Sequence, residues 1–179
     1  MSVESLLLIT SPVSPYGRTK LDCEIMAEEC MGSGMQIIGL RYFNVFGRGE
    51  NPNYARVIPR FLNNISRGEP PVIFGDGSHV KDFTFVQDVV EANVLAMRSS
   101  VGSGFFNIGG SRPVTLRQLA WMLISLLGAN VEPLYDRPRR GDPKMSAADI
   151  TKAARVLGWR PKVSLEEGLR TLLHDSNSL

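Results

Sequence analysis

Apolar and polar positions along the chain switch between a helical and a strand period, and the switches predict helices and strands in alternation. Leu21, Cys23, Ile25, Met26, Ala27 and Cys30 recur at helical spacing ahead of Gly32 and Gly34, so an amphipathic helix ending at one of these glycines is expected. Residues 36–43 contain Ile37, Ile38 and Leu40 in a mostly apolar run of strand length, the pattern of a buried parallel strand. Val57, Ile58, Phe61, Leu62 and Ile65 predict a second helix, in which Pro59 is tolerated because it lies in the first turn. Short strands at 72–74 and 83–86 flank the turn-rich Gly75-Asp76-Gly77-Ser78, and a third helix follows over 87–98.

The last third obeys the same logic. A strand at 105–108 ends in Gly109-Gly110. Thr115 with Gln118 then forms a capping-box signature ahead of Leu116, Leu119, Ala120, Leu123 and Leu127, a helix apolar nearly all round and therefore buried. A further strand is expected at 131–135, and 136–143 is an arginine-rich loop, solvent-facing or a binding element. Asp149 is placed to cap a helix through Leu157 with Gly158 beyond it, and Ser164 with Glu167 to cap a final one through Leu173. No internal repeat interrupts this α/β order.

Composition narrows the picture. The chain has 179 residues, 43% of them hydrophobic, which is one domain's worth of material with enough apolar side chains for a core. A net charge of +2 with interspersed signs argues against a nucleic-acid stripe or a polybasic membrane patch. Cys23 and Cys30 fall on one predicted helix face without nearby ligand partners and read as reduced core thiols rather than a metal site. The apolar run at 6–9 is too short for a signal-peptide core or a membrane span, so a soluble cytoplasmic protein is the expectation. His79 and His174 read as solvated.

Candidate chemistry centres on Tyr16-Gly17-Arg18-Thr19-Lys20. If a helix begins near Tyr16, residues i and i+4 share a face and the Lys20 ammonium stands beside the phenol. A tyrosine ordinarily titrates near ~10, and a neighbouring cation favours the phenolate, which makes a phenol usable as a base. The pentapeptide alone also fits a surface Tyr and Lys on a solvated turn.

Other segments give it context. Pro12 to Lys20, then Arg41-Tyr42-Phe43-Asn44-Val45-Phe46-Gly47, then Gly75-Asp76-Gly77 through Lys81-Asp82-Phe83 and Asp88-Val89, then Arg139-Arg140-Gly141-Asp142, Ala148-Asp149-Ile150 and Leu157-Gly158-Trp159, stand in one order. In that order they resemble the extended short-chain dehydrogenase/reductase family, among its NAD-dependent nucleotide-sugar epimerases and dehydratases, and the UDP-hexose 4-epimerase type most of all. The resemblance covers nearly the whole chain from about Pro12.

It implies a Rossmann-like, doubly wound α/β fold with a smaller α+β substrate-binding domain. It implies NAD as cofactor and a nucleotide sugar, of the UDP-hexose kind, as substrate, with C4 oxidation, rotation of the keto sugar and hydride return; 4,6-dehydration is the alternative within the class. Tyr16 would take the proton from the sugar's C4 hydroxyl. Lys20 would assist it and bind the nicotinamide ribose, and Tyr42 would join them on the cofactor side. Asn44, at the carboxyl end of a parallel strand, would contact the sugar nucleotide. Val57 and Phe74 would enclose the base, Lys81 and Arg139 would meet the diphosphate, and Asp142 would hold a ribose hydroxyl or the loop. A turn asparagine at 44, ordinary core at Val57 and Phe74, and an arginine-rich surface loop are the plain structural alternatives.

Departures are as informative. Lys81 stands where relatives carry arginine, and it neutralises phosphate as a point charge rather than a planar clamp. Ser146 stands where some 4-epimerases carry tyrosine, leaving the sugar open. No G-x-x-G-x-x-G or G-x-G-x-x-G occurs in the sequence, and none of Ser2, Ser5, Ser11 and Ser14 lies where the family places its third catalytic residue. The expectation is therefore a C-terminal part of such an enzyme: 1–50 a remnant of the dinucleotide-binding domain carrying the YxxxK motif, with 1–9 a loop, and 51–179 mainly the substrate-binding region interleaved with Rossmann elements. On that view the chain is inactive alone, with an unpaired strand edge, or it serves as a non-catalytic nucleotide-sugar-binding or interaction module. The resemblance also implies a homodimer contact through residues 17–31.

Overall fold

Parallel strand pairs cross-linked by helices are what the alternating periods produce. The computed structural model describes residues 15–50, 56–139 and 144–176. In chain order the elements are α1 (Pro15–Gly32), β1 (Ile38–Tyr42), β2 (Val45–Phe46), α2 (Val57–Ser66), β3 (Val72–Phe74), β4 (Val80–Lys81), β5 (Thr84–Phe85), α3 (Val86–Arg98), β6 (Gly104–Ile108), β7 (Val114–Thr115), α4 (Leu116–Leu127), β8 (Leu134–Asp136), β9 (Met145–Ser146), α5 (Thr151–Val156) and α6 (Leu165–Ser176). β1 pairs with β6, β2 with β5 and β3 with β8, all parallel, while β4 lies between antiparallel β7 and parallel β9. Parallel partners require long crossovers, and here helices and the intervening strands supply them. Among the described residues no helix is long and apolar enough to cross a membrane.

Two apolar clusters hold these pieces. In the larger, Ile58, Phe61 and Ile65 of α2 meet Leu119, Ala120, Leu123 and Ile124 of α4, with Phe46, Ile73 and Phe85 filling in from strands, Phe83 from between β4 and β5, and Leu169 from α6. The spacing of these positions is the helical apolar stripe that the sequence predicts. The smaller cluster joins Val89 and Ala92 of α3 to Phe106 and Ile108 of β6 and to Ala153, Leu157 and Trp159. Asp88, itself buried, ties this cluster to the C-terminal segment. Its carboxylate accepts the N–H groups of Lys162 and Val163, each at 3.1 Å, and its carbonyl accepts the Trp159 indole N–H at 2.9 Å. Gly110 permits a close crossing, since a Cβ there would stand 2.1 Å from the Phe83 carbonyl oxygen.

The capping box at Thr115 and Gln118 is formed, and Ser164 and Glu167 exchange the equivalent bonds at the start of α6. Other expectations need correction. α1 buries Leu21 but leaves Met26 exposed, and Cys23 and Cys30 are exposed free thiols, not core thiols. Helical spacing marks a stripe, but burial requires a partner surface: among the described residues Leu21 is buried, Glu24, Ile25, Ala27, Glu28 and Met31 are half-buried, and the two thiols fall outside that stripe. The strand of residues 36–43 is shorter, at Ile38–Tyr42, and is half-buried with Tyr42 exposed. β8 begins at Leu134 and is exposed throughout, and α4 leaves Trp121 partly exposed. Asp149 accepts the Thr151 N–H at 2.9 Å, but the residue preceding α5 is Ile150 and the helix ends before Leu157. His79 is half-buried rather than solvated; His174 is exposed.

Candidate active site

Pro15 opens α1, a position that tolerates a missing N–H donor, and this sets Tyr16 and Lys20 on one face a turn apart. The Lys20 Nζ lies 5.4 Å from the centroid of the Tyr16 ring. Both line a groove of about 610 Å³ between α1 and β1, together with Cys23, Glu24, Arg41 and Tyr42. Glu24 and Arg41 form a two-bond ion pair, Nε to Oε1 at 2.7 Å and Nη2 to Oε2 at 2.5 Å, and the guanidinium also lies over the Phe105 ring. The Glu24 hydrogen bonds hold the Arg41 proton more firmly than usual, against the opposing effect of burial. This pair fastens α1 to β1.

Asn44 follows β1 with φ of 29°, a conformation that asparagine tolerates better than most residues. Its Nδ2 donates to the Asp82 carbonyl at 2.7 Å and its own carbonyl accepts the Thr84 N–H, so the side chain is held in one orientation. Asp82 is fully buried and its carboxylate accepts the N–H groups of Ser111 and Ala148. Burial raises the Asp82 carboxyl above the usual range, and the backbone N–H bonds only partly oppose this.

A second concavity, of about 200 Å³, lies beyond Asn44 and is lined by Glu50, Arg56, Val57, Arg60, Phe74, Lys81 and Arg139 among others. Three of these are placed by regular elements: Val57 opens α2, Phe74 ends β3, and Lys81 on β4 stands opposite Ser146 on β9. Phe74 carries two guanidinium groups near its ring, Arg139 at 3.8 Å and Arg60 at 4.9 Å from the centroid. Against these cations Glu50 is the one carboxylate among the described lining residues, raised by burial with Arg56 opposing. Asn44, Val45 and Arg56 line both concavities, so the two adjoin.

The site residues expected from the sequence thus fall in two neighbouring groups. Tyr16, Lys20 and Tyr42 line the α1–β1 groove, and Val57, Phe74, Lys81 and Arg139 the second concavity, with Asn44 between. Tyr42 donates its hydroxyl to Asn93 of α3 at 2.9 Å, a commitment its position in the sequence does not reveal. Asp142 lies outside the described residues, as do residues 1–14. Glu50, Arg56, Arg60 and the buried Asp82 escape the sequence reading. The only signal for the three near α2 is charge adjoining an apolar helix start, and for Asp82 its place inside a run read for Lys81.

A cationic concavity with an aromatic ring in its wall thus adjoins a groove that carries a phenol and an ammonium. This site lies on a mixed α/β scaffold whose structural neighbours are Rossmann-type proteins. The chain belongs to the NAD dependent epimerase/dehydratase family, whose model matches residues 3–109. It is 33% identical over 166 residues to a UDP-glucuronate 4-epimerase of Thermodesulfobacterium geofontis, covering 92% of this chain and 50% of that protein. Its structure is similar to the crystal structure of a UDP-glucose 4-epimerase with UDP-glucose from Thermotoga maritima, with TM-score 0.88 and 43% identity over 94% of this chain and 55% of that one. It is also similar to a UDP-glucuronic acid 4-epimerase from Bacillus cereus in complex with UDP-glucuronic acid and NAD, with TM-score 0.84 and 29% identity over 94% and 54%. The chain spans about half the length of the relatives it matches.

Proposed function

We propose that this chain supplies the sugar-nucleotide site and the proton-transfer pair of an NAD-dependent nucleotide-sugar 4-epimerase. The observation that carries the reading is that the two concavities adjoin at Asn44, Val45 and Arg56, so one extended ligand passing these side chains would reach both. Its diphosphate would lie among Arg139, Lys81 and Arg56, where charge-assisted bonds are strongest, and its base against Phe74. Arg139 covers that ring in the structure, so a stacking base displaces the guanidinium toward the phosphates. The sugar then falls between Asn44 and Tyr16, whose phenol oxygen takes the proton of the C4 hydroxyl while the Lys20 ammonium stabilises the phenolate.

NAD suits part of this surface. The donor set of Tyr16 and Lys20 fits ribose hydroxyls at the nicotinamide end, whereas the glycine-rich phosphate turn does not occur in this sequence. When bound, NAD supplies the hydride acceptor and donor. The residues of this chain position the sugar and hold or release its proton. The relatives named above are 4-epimerases, which favours epimerisation over 4,6-dehydration. In the same reading residues 1–50 belong to the dinucleotide-binding domain and 51–179 mainly to the substrate-binding region.

The absence of a glycine-rich phosphate turn from this sequence favours a second reading, a nucleotide-sugar-binding module without redox chemistry. Calorimetric titration separates them: UDP-glucose binding with no measurable NAD binding supports the module, and binding of both supports a catalytic chain. No UDP-glucose binding contradicts either. The exposed outer surface of α1 also suits pairing of two copies through residues 17–31, and a monomer by light scattering at high concentration would contradict that.

A further inference from the structure

The nucleotide-sugar reading sets a base against Phe74, yet in the structure that ring is already in use. The Arg139 guanidinium lies 3.8 Å from its centroid, and ring and guanidinium line the same cationic concavity. Resting on that reading, we propose that Arg139 makes the site select nucleoside diphosphates over nucleosides, covering Phe74 until a diphosphate draws the guanidinium away.

Two arginines approach the ring, and they differ in attachment. Arg60 lies 4.9 Å from the centroid, and its Nη2 donates to the Val72 carbonyl at 3.4 Å. Val72 and Phe74 share β3, so this arginine is tied to the strand that carries the ring. Arg139 is exposed, and among the described residues its side chain has the ring contact without such a tether. Its backbone is nevertheless well placed. β8 pairs with β3 so that Asp136 stands opposite Phe74, and the Asp136 carbonyl accepts the Gly75 N–H at 2.8 Å. Arg139 follows three residues on, and swinging its side chain off the ring leaves that pairing intact.

The energetics then depend on what the ligand offers in return. A guanidinium over an exposed ring is held weakly, but a base that stacks there must still displace it. A bare nucleoside has no anionic group with which to hold the displaced cation. A diphosphate presents ionised oxygens, and an arginine fork binds these by charge-assisted bonds stronger than the ring contact. One side chain thereby couples the two halves of the ligand. Its removal should act with opposite sign on them, weakening UDP and strengthening uridine.

NMR titrations of the wild-type chain and Arg139→Ala with uridine, sodium pyrophosphate and UDP, followed at the Phe74 ring resonances, test this. The wild type should bind uridine about two- to fivefold more tightly when saturated with pyrophosphate than without it. Arg139→Ala should bind uridine alone more tightly than the wild type by that same factor, gain nothing from pyrophosphate, and bind UDP about tenfold more weakly or worse. With UDP binding to the wild type intact, two results would overturn the assignment and spare the nucleotide site: uridine affinity not raised by Arg139→Ala, absence of uridine binding in both included, or a pyrophosphate gain equal in the two proteins. Failure of UDP itself to bind the wild type would instead overturn the nucleotide-sugar reading, and this inference with it.

Discussion

Around α2, α4 and α6 the side chains interlock until Phe61, Ile73, Leu119, Leu123 and Leu169 are inaccessible to water, whereas α1, with 18 residues, buries Leu21 alone. The first region is held by apolar area and the second by a polar clasp, Glu24 on Arg41. Val57 and Phe74 belong to elements that pack into the first region, so part of the cationic concavity's wall is set by the core. Tyr16 and Lys20 ride on the less anchored helix. The residues proposed for binding and those proposed for proton transfer thus reside on parts of the chain with different burial, and the two can be perturbed separately.

The sharpest way to break the comparison is to truncate both regions. Leu119→Ala should cost about 2–5 kcal/mol, because a buried leucine loses its transfer free energy and leaves a cavity. Met26→Ala on α1 should stay within about 0.5 kcal/mol, as exposed substitutions do. Urea denaturation curves measure both, and similar losses would contradict the division. Next in size, Arg139→Ala should weaken UDP binding about tenfold to a hundredfold, the range of a lost charge-assisted bond, with the denaturation midpoint unmoved.

Breaking the clasp comes next. Glu24→Gln should cost only about 1 kcal/mol, since the pair is partly exposed and screened, yet it should loosen α1. Faster hydrogen exchange in α1 with unchanged exchange in α4 is the expected pattern. A smaller effect concerns pH. Burial raises the Asp82 carboxyl above its ordinary value near ~3.9, so the folded chain holds that proton more tightly than the unfolded one. The resulting stability is full below the unfolded value and is lost as pH rises through the folded one. Stability profiles of the wild type and Asp82→Asn should therefore diverge upward from about pH 4, the wild type losing ground, and parallel profiles would contradict it.

How much of this was legible in the sequence differs by region for the same physical reason. Helix boundaries carried by local chemistry were readable: the Thr115–Gln118 box, the Ser164–Glu167 box and the stop at Gly32 need no tertiary information. The burial of Cys23 and Cys30 was misread because a stripe of apolar residues specifies a face but not the partner that covers it. Two-residue strands such as β2, β4 and β7 are too short to show a period of two. In the site, Tyr16, Asn44 and Arg139 stand in recognisable motifs. Glu50 and Arg56 acquire meaning only when folding sets them in one concavity with Asn44, and Asp82 only when Ser111 and Ala148 donate to it.

The proposed function requires one ligand to span both concavities. Titrating UDP-glucose into the chain while following the ring resonances of Tyr16 and Phe74 by NMR tests it most directly. Both rings should shift with a single dissociation constant, and UDP alone should move Phe74 while leaving Tyr16 largely still. Saturation of Phe74 by UDP-glucose with no response at Tyr16 would contradict it.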